Sequence, residues 1–160
     1  MAGFGPQTAF SRTEAMTVSA HSKSSPFTLS DYPQAVTDHA VFVLNWLLAK
    51  GYEAEAGSKR IALIAPHRRT VIKIPRCDRG IADNHREVRA FRLHQQGRSD
   101  VPIASCRLFY ADPLVGLPLL MMRYVSQADL DPKDLPPWSY TVDCFQIGFD
   151  RLNRLVAYDL

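Results

Sequence analysis

The first clear pattern along the chain is a run of apolar residues with helical spacing, which begins just after Pro33. Its members fall at positions i, i+4, i+7, i+8 and i+11 and so share one face of a helix: Val36, Ala40, Val43, Leu44 and Leu47. Ser30 or Asp31 is suited to cap the start of this helix, and Gly51 is suited to the left-handed conformation that ends one. The pattern therefore predicts a first helix that ends close to Gly51.

Two short runs rich in β-branched and apolar residues follow. They cover residues 59–65 and 70–75, and the segment between them starts with Pro66 and continues with a histidine and two arginines. Because a short polar segment of this kind is suited to a turn, the two runs predict a β-hairpin.

The rest of the chain alternates helical and strand patterns. Helical spacing predicts a second helix over residues 81–96, and strand patterns predict two strands over residues 103–110 and 117–125. A segment rich in Pro and Asp covers residues 126–140. A final hairpin is predicted from residues 145–149 and 155–159. A helix, two strands, a helix and further strands in this order predict an α+β fold with a mainly antiparallel sheet.

Composition indicates one globular domain. The chain has 160 residues, of which 46% are hydrophobic and 22% are charged, as in average soluble domains. Residues 1–30 are rich in Ser and Thr and poor in large apolar side chains, so we expect a flexible tail there and a single domain over residues 31–160.

The same composition favours a cytoplasmic protein. No apolar run is long enough for a membrane span, and no secretory signal pattern is present. Cys77, Cys106 and Cys144 form no zinc or disulfide pattern, and the five histidines show no metal-ligand spacing. The net charge of +3 is too small to indicate a nucleic-acid partner by itself.

Lys73 is the first candidate for chemistry, because it interrupts an otherwise apolar strand. Alternation along the strand places it on the face opposite to Ile72 and Ile74. A buried lysine needs a partner, and the nearest acidic candidate is Glu87 on the second predicted helix. The alternative is a half-exposed edge strand with Lys73 in solvent.

Four pieces of the chain together resemble the protein-kinase family. Residues 70–74 resemble its third strand, and residues 80–87 resemble the start of its C-helix, with Glu87 as the partner of the strand lysine. Residues 117–125 resemble the fifth strand and hinge, and residues 143–160 resemble the catalytic loop and the metal-binding strand. The chain is most similar to short kinase-like proteins of tailed bacteriophages.

The resemblance implies a kinase N-lobe-like antiparallel sheet with a C-helix, followed by a minimal catalytic-loop hairpin. It implies that ATP and Mg²⁺ would be bound by four residues: Lys73, Glu87, Gln146 and Asp159. Two departures argue against catalysis. Gln146 stands where the family has a metal-binding asparagine, and Thr141 stands where it has the catalytic aspartate. Asp143 is the remaining candidate for the catalytic aspartate, and it fits only if the loop register slips by two residues.

Other parts of a kinase are missing. A phosphate-binding loop over residues 53–59 would contain a single glycine, Gly57. Residues 126–140 are too few for the helical pair of a kinase C-lobe, so we expect no full C-lobe.

Three functions remain open at this stage. The first is a non-catalytic, phage- or mobile-element-encoded pseudokinase that binds and inhibits or redirects a host protein, by analogy a CRISPR-type defence complex. The second is a small ATP-dependent phosphotransferase that uses Lys73, Glu87, Asp143 and Asp159. The third is a basic nucleic-acid-binding protein, based on residues 67–69 with Arg60 and neighbouring cations. It is disfavoured because no stacking aromatic lies between Tyr52 and Phe91.

Overall fold

A computed structural model describes residues 32–127, 130–142 and 146–159. The predicted tail over residues 1–30 and the candidate Asp143 lie outside these ranges. The described residues form two α-helices, α1 (Gln34–Ala49) and α2 (Asp78–Gln95). They also form eight strands: β1 (Glu53–Ala56), β2 (Arg60–Ala65), β3 (Thr70–Pro75), β4 (Cys106–Tyr110), β5 (Pro118–Arg123), β6 (Ser126–Gln127), β7 (Ile147–Phe149) and β8 (Leu155–Ala157). No helix in these ranges is long and apolar enough to cross a membrane.

The predicted α+β class is confirmed. Five strands form an antiparallel sheet in the order β1-β2-β3-β5-β4, and β6, β7 and β8 form a second, three-stranded antiparallel sheet. The predicted hairpin between β2 and β3 is present, and a short 3-10 helix, Pro66–Arg68, makes its turn. Arg69 completes that turn in the left-handed conformation, at a φ of 52°.

Strand β1 corrects the expectation of a phosphate loop over residues 53–59. All four of its residues are exposed, so no hydrophobic pattern marks it as a strand. Backbone pairing with β2, from Glu53 opposite Ile64 to Ala56 opposite Ile61, makes it the edge of the sheet. The loop that remains between β1 and β2 is only residues 57–59.

The predicted strand over residues 103–110 begins later than expected, at Cys106. The residues before it pair with the second sheet instead. Ala104 N donates to the carbonyl of Ala157 at 2.8 Å, and Ala157 N donates to the carbonyl of Pro102 at 2.7 Å. These bonds attach β8 to the segment between α2 and β4.

The segment rich in Pro and Asp over residues 126–140 also contains regular structure. Strand β6 pairs with β7, and two 3-10 helices follow, Pro132–Asp134 and Pro137–Thr141. Serine 139 is fully buried, and its hydroxyl donates to the Pro136 carbonyl at 2.6 Å. Trp138, in the same 3-10 helix, packs against the cluster that includes Ile147.

The two helices cover opposite faces of the five-stranded sheet. Residues on the α1 face form one core cluster, which includes Leu47, Leu63, Ile72, Ile74 and Leu119. Residues on the α2 face form another: Val71, Val88, Ala104, Cys106, Leu120, Met122 and Val156. Strand alternation explains the division, since neighbours such as Ile72 and Val71 point to opposite faces. Lys73 lies on the α2 face, next to the second sheet.

Candidate functional site

Lys73 lies at the centre of a buried ionic cluster between β3, α2 and the second sheet. Only 4% of the residue is exposed, and its cross-strand neighbours are Ala62 and Leu120. Its Nζ contacts both carboxylate oxygens of Glu87 at 3.0 Å, and Glu87 is 2% exposed. The predicted ion pair is therefore present, and the alternative of a solvent-exposed Lys73 is wrong.

Helix α2 places Glu87 beside Lys73 because two other residues of the helix, Asn84 and Gly80, allow the helix to pack closely against its neighbours. Asn84 is fully buried and donates to the carbonyl of Pro118 at 3.0 Å and, more weakly, to that of Lys73 at 3.4 Å. A Cβ on Gly80 would lie 2.2 Å from the carbonyl oxygen of Lys59, so only glycine permits this close approach of the helix to the sheet. Glu87 follows Asn84 by three residues and so points the same way.

The second sheet contributes Asp159, which follows β8. Its Oδ1 accepts a hydrogen bond from Lys73 Nζ at 2.8 Å, and its Oδ2 accepts one from Gln146 Nε2 at 3.3 Å. Gln146 precedes β7 and Asp159 follows β8, so both lie at the open end of this antiparallel hairpin, where Tyr158 N donates to the Gln146 carbonyl at 2.8 Å. Four of the five candidate site residues therefore come together, and Asp143 lies outside the described residues.

Arg60 also belongs to this cluster, although the sequence analysis placed it in a basic surface patch. Its guanidinium bonds to Glu87 and to Asp159, and only 11% of its side chain is exposed. The register of the β2–β3 hairpin explains why Arg60 belongs to the cluster. Arg60 lies opposite Pro75 and Ala62 lies opposite Lys73, so Arg60 and Lys73 are on the same face of the sheet.

The cluster is balanced in charge, with two cations facing two carboxylates. Burial raises the pKa of the Asp159 carboxyl, but the charge and hydrogen bond of Lys73, the charge of Arg60 and the hydrogen bond from Gln146 outweigh it. The pKa therefore lies below its ordinary value. Nearby, burial and then the charge of Glu87 raise the pKa of the Cys106 thiol to about 12, against a smaller opposing effect of Lys73. Cys106 is therefore a neutral thiol and unsuited to act as a nucleophile.

A cavity of about 390 Å³ opens beside the cluster, under the loop between β1 and β2. Its rim is held by ion pairs of Asp83 with Lys59 at 3.2 Å and with Arg86 at 2.7 Å. The polar backbone groups of Gly57 in this loop are both hydrogen-bonded. Gly57 N donates to the Arg60 carbonyl at 2.9 Å, and the Arg76 guanidinium donates to the Gly57 carbonyl at 2.6 Å. The Gly57 amide is thus engaged, whereas a phosphate-binding loop presents free amides.

The apolar residues of β5 and the basic residues of the β2–β3 turn lie outside the ionic cluster. Leu119, Leu120 and Met122 on β5 are buried core residues. His67, Arg68 and Arg69 are exposed around the turn of the β2–β3 hairpin. Among the described residues, no three His, Cys, Asp or Glu side chains are grouped so as to hold a metal ion.

Comparison with models of protein families, with curated proteins and with solved structures finds no match to this chain. The kinase resemblance therefore stays a prediction, and the function must be argued from the geometry of the site.

Proposed function

We propose that this chain is a kinase-like domain that does not transfer phosphate and that acts by binding another protein. The kinase-like part is supported by the lysine of the third strand, paired with a helix glutamate, and by an aspartate that follows a hairpin and reaches the same lysine. Their arrangement on a five-stranded antiparallel sheet adds to this support.

The position of Arg60 is the observation that carries the non-catalytic part. In phosphoryl transfer, the lysine must be available to nucleotide phosphates and the aspartate to Mg²⁺. In this chain, Asp159 Oδ1 already bonds to Lys73 and Arg60, and Oδ2 bonds to Gln146. A metal ion at Asp159 would also lie beside the Arg60 guanidinium, and two cations this close repel each other. Arg60 thus fills the role that a metal ion has in an active kinase.

We therefore predict that Mg²⁺ adds nothing to any stabilisation of the protein by ATP. A ligand that binds only the folded state raises the melting temperature by mass action. The measurement is thermal unfolding with ATP and Mg²⁺, compared with ATP and a chelator, alongside transfer of labelled phosphate to the protein and to a generic substrate. A magnesium-dependent rise together with phosphate transfer would establish the alternative, a small active phosphotransferase.

The protein-binding part is supported by an aromatic groove along α1, which we call the α1 groove. Phe42 is 65% exposed and Trp46 is 53% exposed on this helix, a large apolar surface for a soluble protein. Beside them is a cavity of about 520 Å³, lined further by Tyr52, Phe109 and Met121. An aromatic surface of this kind is typical of binding hot spots.

The polar residues of the α1 groove indicate the chemistry of the partner. Its charged lining residues are cations, with Lys50 Nζ 5.8 Å from the ring centre of Trp46 and Arg68 6.0 Å from that of Tyr52. His39 Nε2 is buried here without a hydrogen-bond partner in the described part of the chain. A segment with a large apolar side chain next to a carboxylate would fill the cavity and complement this charge.

We predict that replacing both Phe42 and Trp46 with serine removes the binding of a protein partner without unfolding the domain, because both side chains are largely in solvent. The measurement is crosslinked capture from a nuclease-treated bacterial lysate, with circular dichroism as the check on folding. Leu114→Ser is the matched control, because Leu114 is 96% exposed but lies outside the groove. A protein captured equally by all variants would show that the groove is not the binding surface. That the partner is a host factor of a bacteriophage, such as a CRISPR-type complex, stays a prediction by analogy.

A further inference from the structure

A third cavity, of about 920 Å³, lies behind the β5–β6 connection and is larger than the cavity beside Lys73 and the cavity of the α1 groove. It is enclosed by the second half of α2, the segment before β4, the end of β5 and the turn between β7 and β8. None of its lining residues lines the cavity beside Lys73. We call it the arginine cavity because four arginines line it: Arg69, Arg123, Arg151 and Arg154.

The charges of the arginine cavity are unbalanced. Its acidic lining residue, Asp150, is paired with Arg154 at 2.6 and 2.9 Å, and it also accepts bonds from the backbone amides of Leu152 and Arg154. Burial raises the pKa of Asp150, but the hydrogen bonds and charge of Arg154 and the hydrogen bond from the Leu152 amide together outweigh burial, so the pKa lies below its ordinary value. This carboxylate is therefore ionised and already occupied. Arg69, Arg123 and Arg151 have no ion pair among the described residues.

The backbone holds two of these arginines close together. Arg69 sits in the left-handed conformation, and its carbonyl accepts a hydrogen bond from Tyr124 N at 3.0 Å. Arg123 precedes Tyr124, lies opposite Thr70 in the sheet, and donates its own N–H to Ser105 at 2.9 Å. Arg69 ends the β2–β3 turn and Arg123 ends β5, and two like charges on neighbouring segments repel each other unless an anion lies between them.

The floor of the cavity is apolar and aromatic. Ile103, Ala104 and Val156 are buried beneath it, and three half-buried aromatic rings line it: Phe91, Tyr124 and Phe149. Guanidinium groups bind phosphate through paired N–H groups, and aromatic side chains stack on nucleobases. A volume of this size lies within the range of small-molecule sites.

We propose that the arginine cavity binds a nucleotide, with its phosphate at Arg69, Arg123 and Arg151 and its base against the aromatic floor. The same chemistry is found in a free nucleotide and at the end of a single-stranded nucleic acid. This site is independent of the cluster around Lys73 and needs no Mg²⁺, because the arginines supply the positive charge.

The test is titration calorimetry of the full chain with ADP in the presence of a chelator. We expect saturable binding that Arg123→Gln weakens at least tenfold, while Arg89→Gln, an exposed arginine of α2 outside the cavity, leaves it unchanged. Adenosine is expected to bind more weakly than ADP, and pyrophosphate is expected to compete with it. If a short oligothymidine binds more tightly than ADP, the ligand of the site is the end of a single-stranded nucleic acid and not a free nucleotide.

Three results would overturn the proposal. They are no binding of ADP, equal binding of ADP and adenosine, or loss of binding in Arg86→Gln with binding retained in Arg123→Gln. The last would place ADP in the cavity beside Lys73, because Arg86 lines that cavity and not this one. Since every titration is done without Mg²⁺, failure here leaves the magnesium-dependence test of the proposed function unaffected.

Discussion

Replacing Glu87 with glutamine is expected to lower the free energy of unfolding by roughly 3–5 kcal/mol, the usual cost of removing one partner from a buried ion pair. Glu87 is 2% exposed and bonds to both Lys73 and Arg60. Glutamine has almost the same shape, so the loss measures charge and not packing. Without this carboxylate, two buried cations share Asp159, whose side chain is 37% exposed. The measurement is urea unfolding followed by circular dichroism.

Two further variants separate charge pairing from other causes. Asp38→Asn removes an exposed carboxylate from α1 and is expected to change stability by less than about 0.5 kcal/mol. Combining Lys73→Met with Glu87→Gln removes one buried cation as well, so the double variant is expected to be more stable than Glu87→Gln alone. A loss below about 1 kcal/mol for Glu87→Gln would mean that the pair contributes no more than a surface salt bridge.

Replacing Arg60 with alanine is expected to raise the affinity of the protein for Mg²⁺ at least tenfold. The substitution removes a positive charge that bonds directly to Asp159. A unit charge about 4 Å away is worth roughly 4 kcal/mol at the effective dielectric constant near a protein surface, so tenfold is a conservative expectation. The measurement is titration of each variant with Mg²⁺, or with Mn²⁺ followed by electron paramagnetic resonance.

Arg60→Gln tests whether the gain comes from charge alone, because glutamine keeps a hydrogen-bond donor in the cluster. Lys59→Ala is the matched control, since Lys59 is the neighbouring cation but bonds to Asp83 at the rim of the cavity. If Mg²⁺ binds the wild type and Arg60→Ala with equal affinity, Arg60 does not occupy the place of a metal ion. The non-catalytic proposal would then lose the observation on which it stands.

The hydrophobic pattern predicts those elements that bury one face. Helix α1, the β2–β3 hairpin, helix α2 and strand β5 all have apolar residues at the spacing that their cores require. The pattern does not predict strands β1 and β6, because the residues of both are exposed and each strand is held by pairing with its neighbour, not by burial of apolar side chains. Edge strands of this kind carry no hydrophobic signal.

The candidate site is predictable where it is local in sequence. Lys73 and Glu87 lie on a strand and the helix that follows it, so alternation and helical spacing bring them together. The run of charges around residues 67–69 wrongly predicts a surface position for Arg60, whereas the register of the β2–β3 hairpin places it on the face of Lys73. The aromatic floor of the arginine cavity cannot be predicted from the sequence, because Phe91, Tyr124 and Phe149 come from three separate parts of the chain and only the tertiary fold brings them together.

The contact of Arg60 with Asp159 joins residues 99 positions apart, and this separation has a consequence for the order of folding. The five-stranded sheet and α2 contain Arg60, Lys73 and Glu87, so a chain in which only these elements have formed holds two cations against one carboxylate. Asp159 neutralises the second cation only when the β7–β8 hairpin reaches the segment before β4. Once the sheet has formed, the chain after β5 must still close a loop to bring Asp159 to the cluster, which costs conformational entropy. We therefore expect the excess charge to keep the cluster hydrated until the hairpin docks.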